Sequence, residues 1–233
     1  MEIDNLYNQD CLVGMREIPT ESVDLIVTDC PYHVSGGGCS DTDRQPSGIS
    51  EKRKSTKHIN LGGVFDDTIG YVRAGKLFKH NDIAFSEWLP DVYRVLKKQT
   101  HCYIMVNARN LKNLQTEAEK AGFIFQNLLV WKKDNCTPNK YYMNQLEFIL
   151  MLRKGAAKNI NDMGVSNCIS CPNILSKGAK GIHPTAKPIA LMELLIKQSS
   201  NDGDLVLDPF AGGGEYSYCC AQSEPPLSRL RDR

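Results

Sequence analysis

Val23-Asp24-Leu25-Ile26-Val27-Thr28-Asp29-Cys30-Pro31-Tyr32 is the stretch whose reading decides the fold. Val23 to Thr28 is a short apolar run, rich in β-branched residues and bounded by Ser22 and a proline. That pattern predicts a strand buried in a parallel sheet. In an open α/β sheet, ligands gather just beyond the carboxyl ends of the strands, so a carboxylate, a rigid turn and an aromatic are well placed there. A second buried strand, Leu205-Val206-Leu207, runs into Asp208-Pro209-Phe210-Ala211-Gly212-Gly213-Gly214. The glycines let backbone N–H groups come close to a ligand, an approach that side chains would block.

Strands and helices alternate around these landmarks. Leu12, Met15 and Ile18 recur at helical spacing before Pro19, after the short strand-like run Leu6-Tyr7-Asn8-Gln9. Phe85 to Lys98 predicts an amphipathic helix, with Phe85, Trp88, Leu89, Val92 and Leu96 on one face and Pro90 marking a first turn or a kink. There follow a strand over 101–106, a polar helix from Leu111 to Ala121 closed by Gly122, strands over 123–131 and 146–152, and a helix from Thr185 or Ala186 to Ser200. This alternation predicts an α/β fold. The polar loop Asp134 to Tyr142 is expected on the rim that carries Asp29. With no repeat or hinge-like linker, residues 1–233 are expected to form a single domain, with loop insertions near 33–80 and 154–182 and an atypical tail at 215–233.

The 28 basic and 27 acidic residues of this 233-residue chain nearly cancel, so any nucleic-acid surface has to be a local patch. Lys52, Arg53, Lys54 and Lys57 form such a patch in the first irregular segment, and could neutralise phosphates. A solvated loop would have the same composition. The N-terminus has no signal-peptide pattern and no apolar run approaches the roughly 18 residues of a membrane span. A cytoplasmic protein without membrane association is therefore expected, and its nine cysteines read as free thiols. Cys168 and Cys171 form a C-x-x-C without a second pair, so no metal is expected.

Asp29-Cys30-Pro31-Tyr32 resembles the Asp-Pro-Pro-Tyr motif of amino-group DNA methyltransferases, which act on adenine N6 or cytosine N4. Asp208 to Gly214 resembles the motif with which that family binds S-adenosyl-L-methionine (AdoMet). With the catalytic motif first, the AdoMet motif last and His183-Pro184-Thr185-Ala186-Lys187-Pro188 just ahead of it, the order is that of the family's β group. The resemblance implies a Rossmann-like methyltransferase fold, with a mostly parallel twisted sheet and helices on both faces. It also implies methyl transfer from AdoMet to a base amine in double-stranded DNA after base flipping, and adenine N6 is the expected target because cytosine-N4 enzymes more often carry Ser in place of Asp29. Asp29, Cys30, Pro31 and Tyr32 would be catalytic. Asp10, Cys11, His183, Thr185, Lys187, Asp208, Pro209, Phe210, Ala211, Gly212 and Gly214 would contact the cofactor. Asp10 has a plainer alternative as a helix cap.

Two departures qualify the resemblance. Cys30 stands where the family usually has proline, which keeps the carbonyl acceptor but frees one φ angle. After Gly214 the family continues through a helix and a strand ending in the acid that binds the AdoMet ribose, whereas here Pro225-Pro226 and a polar tail follow. The tail is therefore expected to be a truncation that weakens AdoMet binding. A catalytically silent remnant that binds only DNA or a partner, and a cytosine-N4 enzyme, stay open as alternatives. So does the oligomeric state, a dimer included.

Overall fold

A computed structural model describes residues 7, 9–31, 83–137, 142–173 and 187–211. Six strands form one sheet: β1 (Val23–Asp29), β2 (Leu96–Val106), β3 (Ile124–Thr137), β4 (Asn144–Lys154), β5 (Cys168–Ser170) and β6 (Val206–Leu207), in the order β5-β3-β4-β2-β1-β6. β1 pairs in parallel with β2 and β6, and β3 with β5, whereas β4 is antiparallel to both its neighbours. The sheet is thus mixed, and the reversal has a simple cause. A parallel crossover needs about a dozen residues or more, and the connection from Thr137 to Asn144 is too short for one. Because β4 reverses, β3 runs in the same direction as β1 and β2. The end of β3, with Asp134, and the start of β4 therefore lie on the rim where β1 and β6 end, while residues 138–141 of the expected loop lie outside the described residues.

Helices cover both faces. α1 (Cys11–Glu17), α2 (Phe85–Val95) and α3 (Ala108–Ala121) supply Met15, Trp88, Leu89, Val92, Leu114 and Ala118 to one core, against Ile26, Cys102, Ile104 and Leu150 of the sheet. α4 (Ile189–Ser199) covers the opposite face, packing Leu191, Met192 and Leu195 against Leu25, Val27, Tyr103, Met105, Ile149 and Met151. From Leu25 onward, odd-numbered residues of β1 face α4 and even-numbered ones face α2, as the period of two in a strand requires, whereas Val23, across a register shift, packs into the α2 core.

Several boundaries differ from the pattern of the sequence. α2 stops at Val95 and β2 begins at once, five residues before the expected strand. The Lys154 ammonium ends the helix by donating to the carbonyls of Tyr93 (2.8 Å) and Leu96 (2.7 Å), and it also lies 3.3 Å from Glu21. Lys154 thus closes β4 as a buried residue and does not open a loop. The segment after it contains β5, paired with β3 and braced by Trp131 Nε1 donating to the Cys171 carbonyl at 2.8 Å. Asn107 caps α3 three residues earlier than periodicity suggests. Gly122 closes that helix in the left-handed region, at φ 108°, where a Cβ would stand 2.9 Å from the Tyr93 ring. α4 starts at Ile189 because Pro188 is extended and disfavours helical geometry in Lys187.

Beneath α4 a buried polar chain crosses the core. Lys158 carbonyl can only accept, so His101 Nε2 is the donor to it at 3.1 Å. His101 Nδ1 then accepts from Ser199 Oγ at 2.8 Å, and Ser199 is bonded to Tyr103 Oη at 2.8 Å. Burial holds the imidazole below its ordinary pKa, with Lys158 and Arg153 adding to the effect against the pull of the Lys158 carbonyl bond. A depressed pKa means that this contribution to stability is complete above about pH 6.5 and is lost as pH falls through the folded value. The melting temperature is expected to drop between pH 7 and 5, and His101→Gln should flatten that limb, measured by thermal melts across the range.

Candidate active site

Strand register brings three charged side chains to one place, and a fourth joins them from the lead-in to α4. Asp29 lies level with Met105, Met105 with Ile149, and Ile149 with Leu129, across β1, β2, β4 and β3. All four face α4. Moving toward the rim by one pleat on β4 gives Glu147, and by two on β3 gives Lys133, both on the same face. Lys187, extended just before α4, reaches down onto this row. Its Nζ donates to Asp29 Oδ2 at 2.6 Å and lies 3.6 Å from Glu147 Oε2, while Lys133 Nζ donates to Glu147 Oε1.

The electrostatics follow from burial. Burial pushes the Asp29 carboxyl up from its ordinary range, and Lys187 pulls it back. Burial also opposes ionisation of Glu147, but Lys187 and Lys133 together outweigh it and leave that carboxyl below its usual value. Lys187 is likewise penalised by burial, and its two carboxylate partners more than compensate, so it stays protonated.

On the neighbouring strand, Asp208 directly follows β6. Its Oδ1 accepts from Thr28 Oγ1 at 2.6 Å and from the Phe210 N–H at 2.9 Å. Burial of its carboxyl, with an addition from Asp29, raises its pKa to about 7 against the two hydrogen bonds. Asp29 and Asp208 therefore end adjacent strands on one rim, as expected. Asp29 Oδ1 and Asp208 Oδ2 are both buried without a hydrogen-bond partner among the described residues. Each such atom costs about 1–3 kcal/mol, and more when charged. Glu147 Oε2, 3.6 Å from Lys187 Nζ, is likewise buried without a hydrogen-bond partner among the described residues.

The other expected site residues divide by location. Cys30 has the parity of Ile26, so its side chain points into the α2 core and its Sγ lies 3.7 Å from the Met105 carbonyl. Phe210 anchors the segment after β6 by an edge-to-face contact with Trp88, the ring centroids 5.0 Å apart. Pro209 and Ala211 flank it, partly exposed. Asp10 caps α1, its Oδ1 accepting from the N–H groups of Leu12 (2.9 Å) and Val13 (3.2 Å), and Cys11 packs half-buried against the α2 core. Tyr32, Lys52, Arg53, Lys54, Lys57, His183, Thr185, Gly212, Gly214 and the tail at 215–233 lie outside the described residues.

The structure adds two residues that sequence reasoning missed, Glu147 and Lys133, and places Lys187 on Asp29. The available signal was Glu147 itself, a lone acid within the apolar run Leu146 to Leu152. Among the described residues, no group of three His, Cys, Asp or Glu side chains could hold a metal, and no helix is long and apolar enough to cross a membrane.

The chain is 27% identical over 225 residues to the type II methyltransferase M2.DpnII of Streptococcus pneumoniae, with 90% of this chain and 77% of that protein aligned. It is 25% identical to the type II methyltransferase M2.MboI of Moraxella bovis, with 90% and 76% aligned. Its fold is like that of M1.HpyAVI, solved as a complex with SAM, at a TM-score of 0.59 and 20% identity over 93% of this chain and 86% of that one. It is also like that of the cytosine-N4-specific PvuII DNA methyltransferase, at a TM-score of 0.58 and 14% identity over 89% and 74%. The sequence profile of the DNA methylases, which spans N6 and N4 types, matches residues 23–222, continuing past Gly214. With both strand ends of the site inside that match, this chain belongs to the N6/N4 DNA methylase family.

Proposed function

We propose that the chain is an AdoMet-dependent methyltransferase acting on adenine N6 in double-stranded DNA. The observation that carries this reading is Asp29, a carboxylate at a strand end with Oδ2 held by Lys187 and Oδ1 buried without a partner among the described residues. An exocyclic aromatic amine is a poor nucleophile because its lone pair is delocalised into the ring. Acceptance of its hydrogens by Asp29 Oδ1 and the Cys30 carbonyl favours a tetrahedral nitrogen with its lone pair free. Catalysis is then positioning plus electrostatics. Tyr32 offers a face on which the base stacks once it has left the duplex.

The residues beside Asp29 suit the cofactor. AdoMet supplies an electrophilic methyl on a sulfonium and carries an ammonium group. The unpartnered Asp208 Oδ2 is an acceptor for such a cation, with Asp10, Pro209, Phe210, Ala211, Gly212 and Gly214 as further contacts. His183 and Thr185 complete the set implied by the family motif. Lys52, Arg53, Lys54 and Lys57 are proposed to neutralise DNA phosphates.

Incubating the protein with duplex DNA and methyl-labelled AdoMet, then hydrolysing the DNA, tests the reading directly. Labelled N6-methyladenine is expected, and labelled N4-methylcytosine would overturn the base assignment. Asp29→Ala should lower methyl transfer by about 10²–10³-fold or more while leaving AdoMet affinity nearly unchanged. A variant that still methylates duplex DNA would remove Asp29 from the chemistry.

Asp208 gives cofactor binding a pH signature. Its pKa of about 7 means that it is mostly protonated at pH 6, whereas a cationic ligand favours the ionised form. AdoMet binding should therefore release a proton, and Kd should rise by up to about tenfold per pH unit below 7. Calorimetry in buffers of different ionisation enthalpy reads that proton, and Asp208→Asn should abolish the dependence. For the basic cluster, replacing Lys52, Arg53 and Lys54 with Ala should reduce the salt slope of DNA binding by about 0.9 per lost phosphate contact, measured by titration across a salt series.

A further inference from the structure

We propose that Lys187 is the positioning residue for Asp29, held in place by Glu147 and Lys133, and is not a contact to the cofactor. The proposal deepens the assignment of Asp29 as the amine acceptor and rests on it.

Three observations carry it. First, Lys187 is itself only 6% exposed and spends a 2.6 Å bond on Asp29 Oδ2. That bond fixes the rotation of the carboxylate and leaves Oδ1 as the oxygen available to a substrate amine. Second, the bond answers the desolvation of Asp29. A carboxylate this deeply buried would take up a proton without an adjacent cation, and a neutral Asp29 would accept hydrogen bonds far less well. Third, the charges alternate. Lys187 has Glu147 on its other side, and Glu147 has Lys133, so among the described residues two cations face two anions. The short reach from Pro188, which keeps Lys187 out of α4 and extended over the strand ends, places the ammonium there.

The groups that bear on Asp29 are Lys187 ahead of α4, Glu147 on β4 and Lys133 on β3, with Asp208 after β6 and Cys30 next in the chain. Lys187 favours the ionised carboxylate, while Glu147 opposes it. The two must therefore shift the acid limb of the reaction in opposite directions when removed. That opposition separates a positioning role from a general structural one.

The test is the single-turnover rate of methyl transfer at saturating AdoMet, from pH 5.5 to 9, with AdoMet affinity measured in parallel. Saturation removes the Asp208 proton, which belongs to cofactor binding. Lys187→Met should keep AdoMet Kd within about threefold and lose at least about tenfold in rate at pH 7. Its acid limb should move up by a unit or more, so that part of the loss returns at pH 9. Glu147→Gln should move the limb down, and Lys187→Arg should leave it near that of the wild type. A tenfold weaker AdoMet Kd in Lys187→Met with its limb in place would make Lys187 a cofactor contact and overturn the proposal. A limb in Glu147→Gln that stays put or moves up would do the same, including where Lys187→Met does not fold. Asp29→Ala run alongside keeps the two levels apart. If it remains active, the reading of Asp29 as the amine acceptor fails; if it is inactive and the limbs do not part, only the role given to Lys187 fails.

Discussion

A carboxylate taken almost wholly out of water at a strand end is the constraint on which the site depends. Burying an isolated charge is costly enough that the group would neutralise itself instead. Asp29 escapes that outcome because an ammonium lies against one of its oxygens, and the ammonium is held by a second carboxylate on another strand. Burial works against the charge of all three side chains, and Lys187 and the two carboxylates favour one another's charged forms. The cluster is therefore cooperative in the plain sense that each member makes the burial of the next tolerable.

What allows this is register. Asp29, Glu147 and Lys133 come from three strands whose pairing puts them on one face within two pleats of one another. A slip of one residue in β4 would turn Glu147 into the opposite core and leave Lys187 facing Asp29 alone. The same alternation accounts for Cys30. Its side chain belongs to the α2 core, so the residue type there is tested by packing, while Asp29 one position earlier faces the opposite way, onto Lys187.

Both strand ends were legible because each is a compact local signal: a short apolar run, an acid and a proline, with nothing longer-range required. The α/β class was legible for the same reason. The mixed sheet was less so, since the reversal of β4 depends on the length of a loop and not on the composition of the strands. Lys154 read as the start of a loop because a lysine is rarely buried, and only the helix end it caps explains it. Lys187 was assigned to the cofactor through its motif, whereas its bond to Asp29 crosses from the lead-in of α4 to β1 and has no local signature. Lys133 was invisible on the same grounds, and Glu147 showed only as a lone acid within an apolar run.

The bond from Thr28 to Asp208 joins residues 180 positions apart in the chain. The β3–β4 pair, by contrast, closes over a short turn. Loop-closure entropy grows with separation, and contacts of long range repay it only after much of the chain is already ordered. The edge proposed to carry the chemistry is thus expected to be among the last parts of the sheet to form during folding. A nascent or partly unfolded chain can own a paired β3–β4 ribbon and still lack the rim on which both carboxylates meet, so competence to act on DNA would arrive only with completion of the sheet.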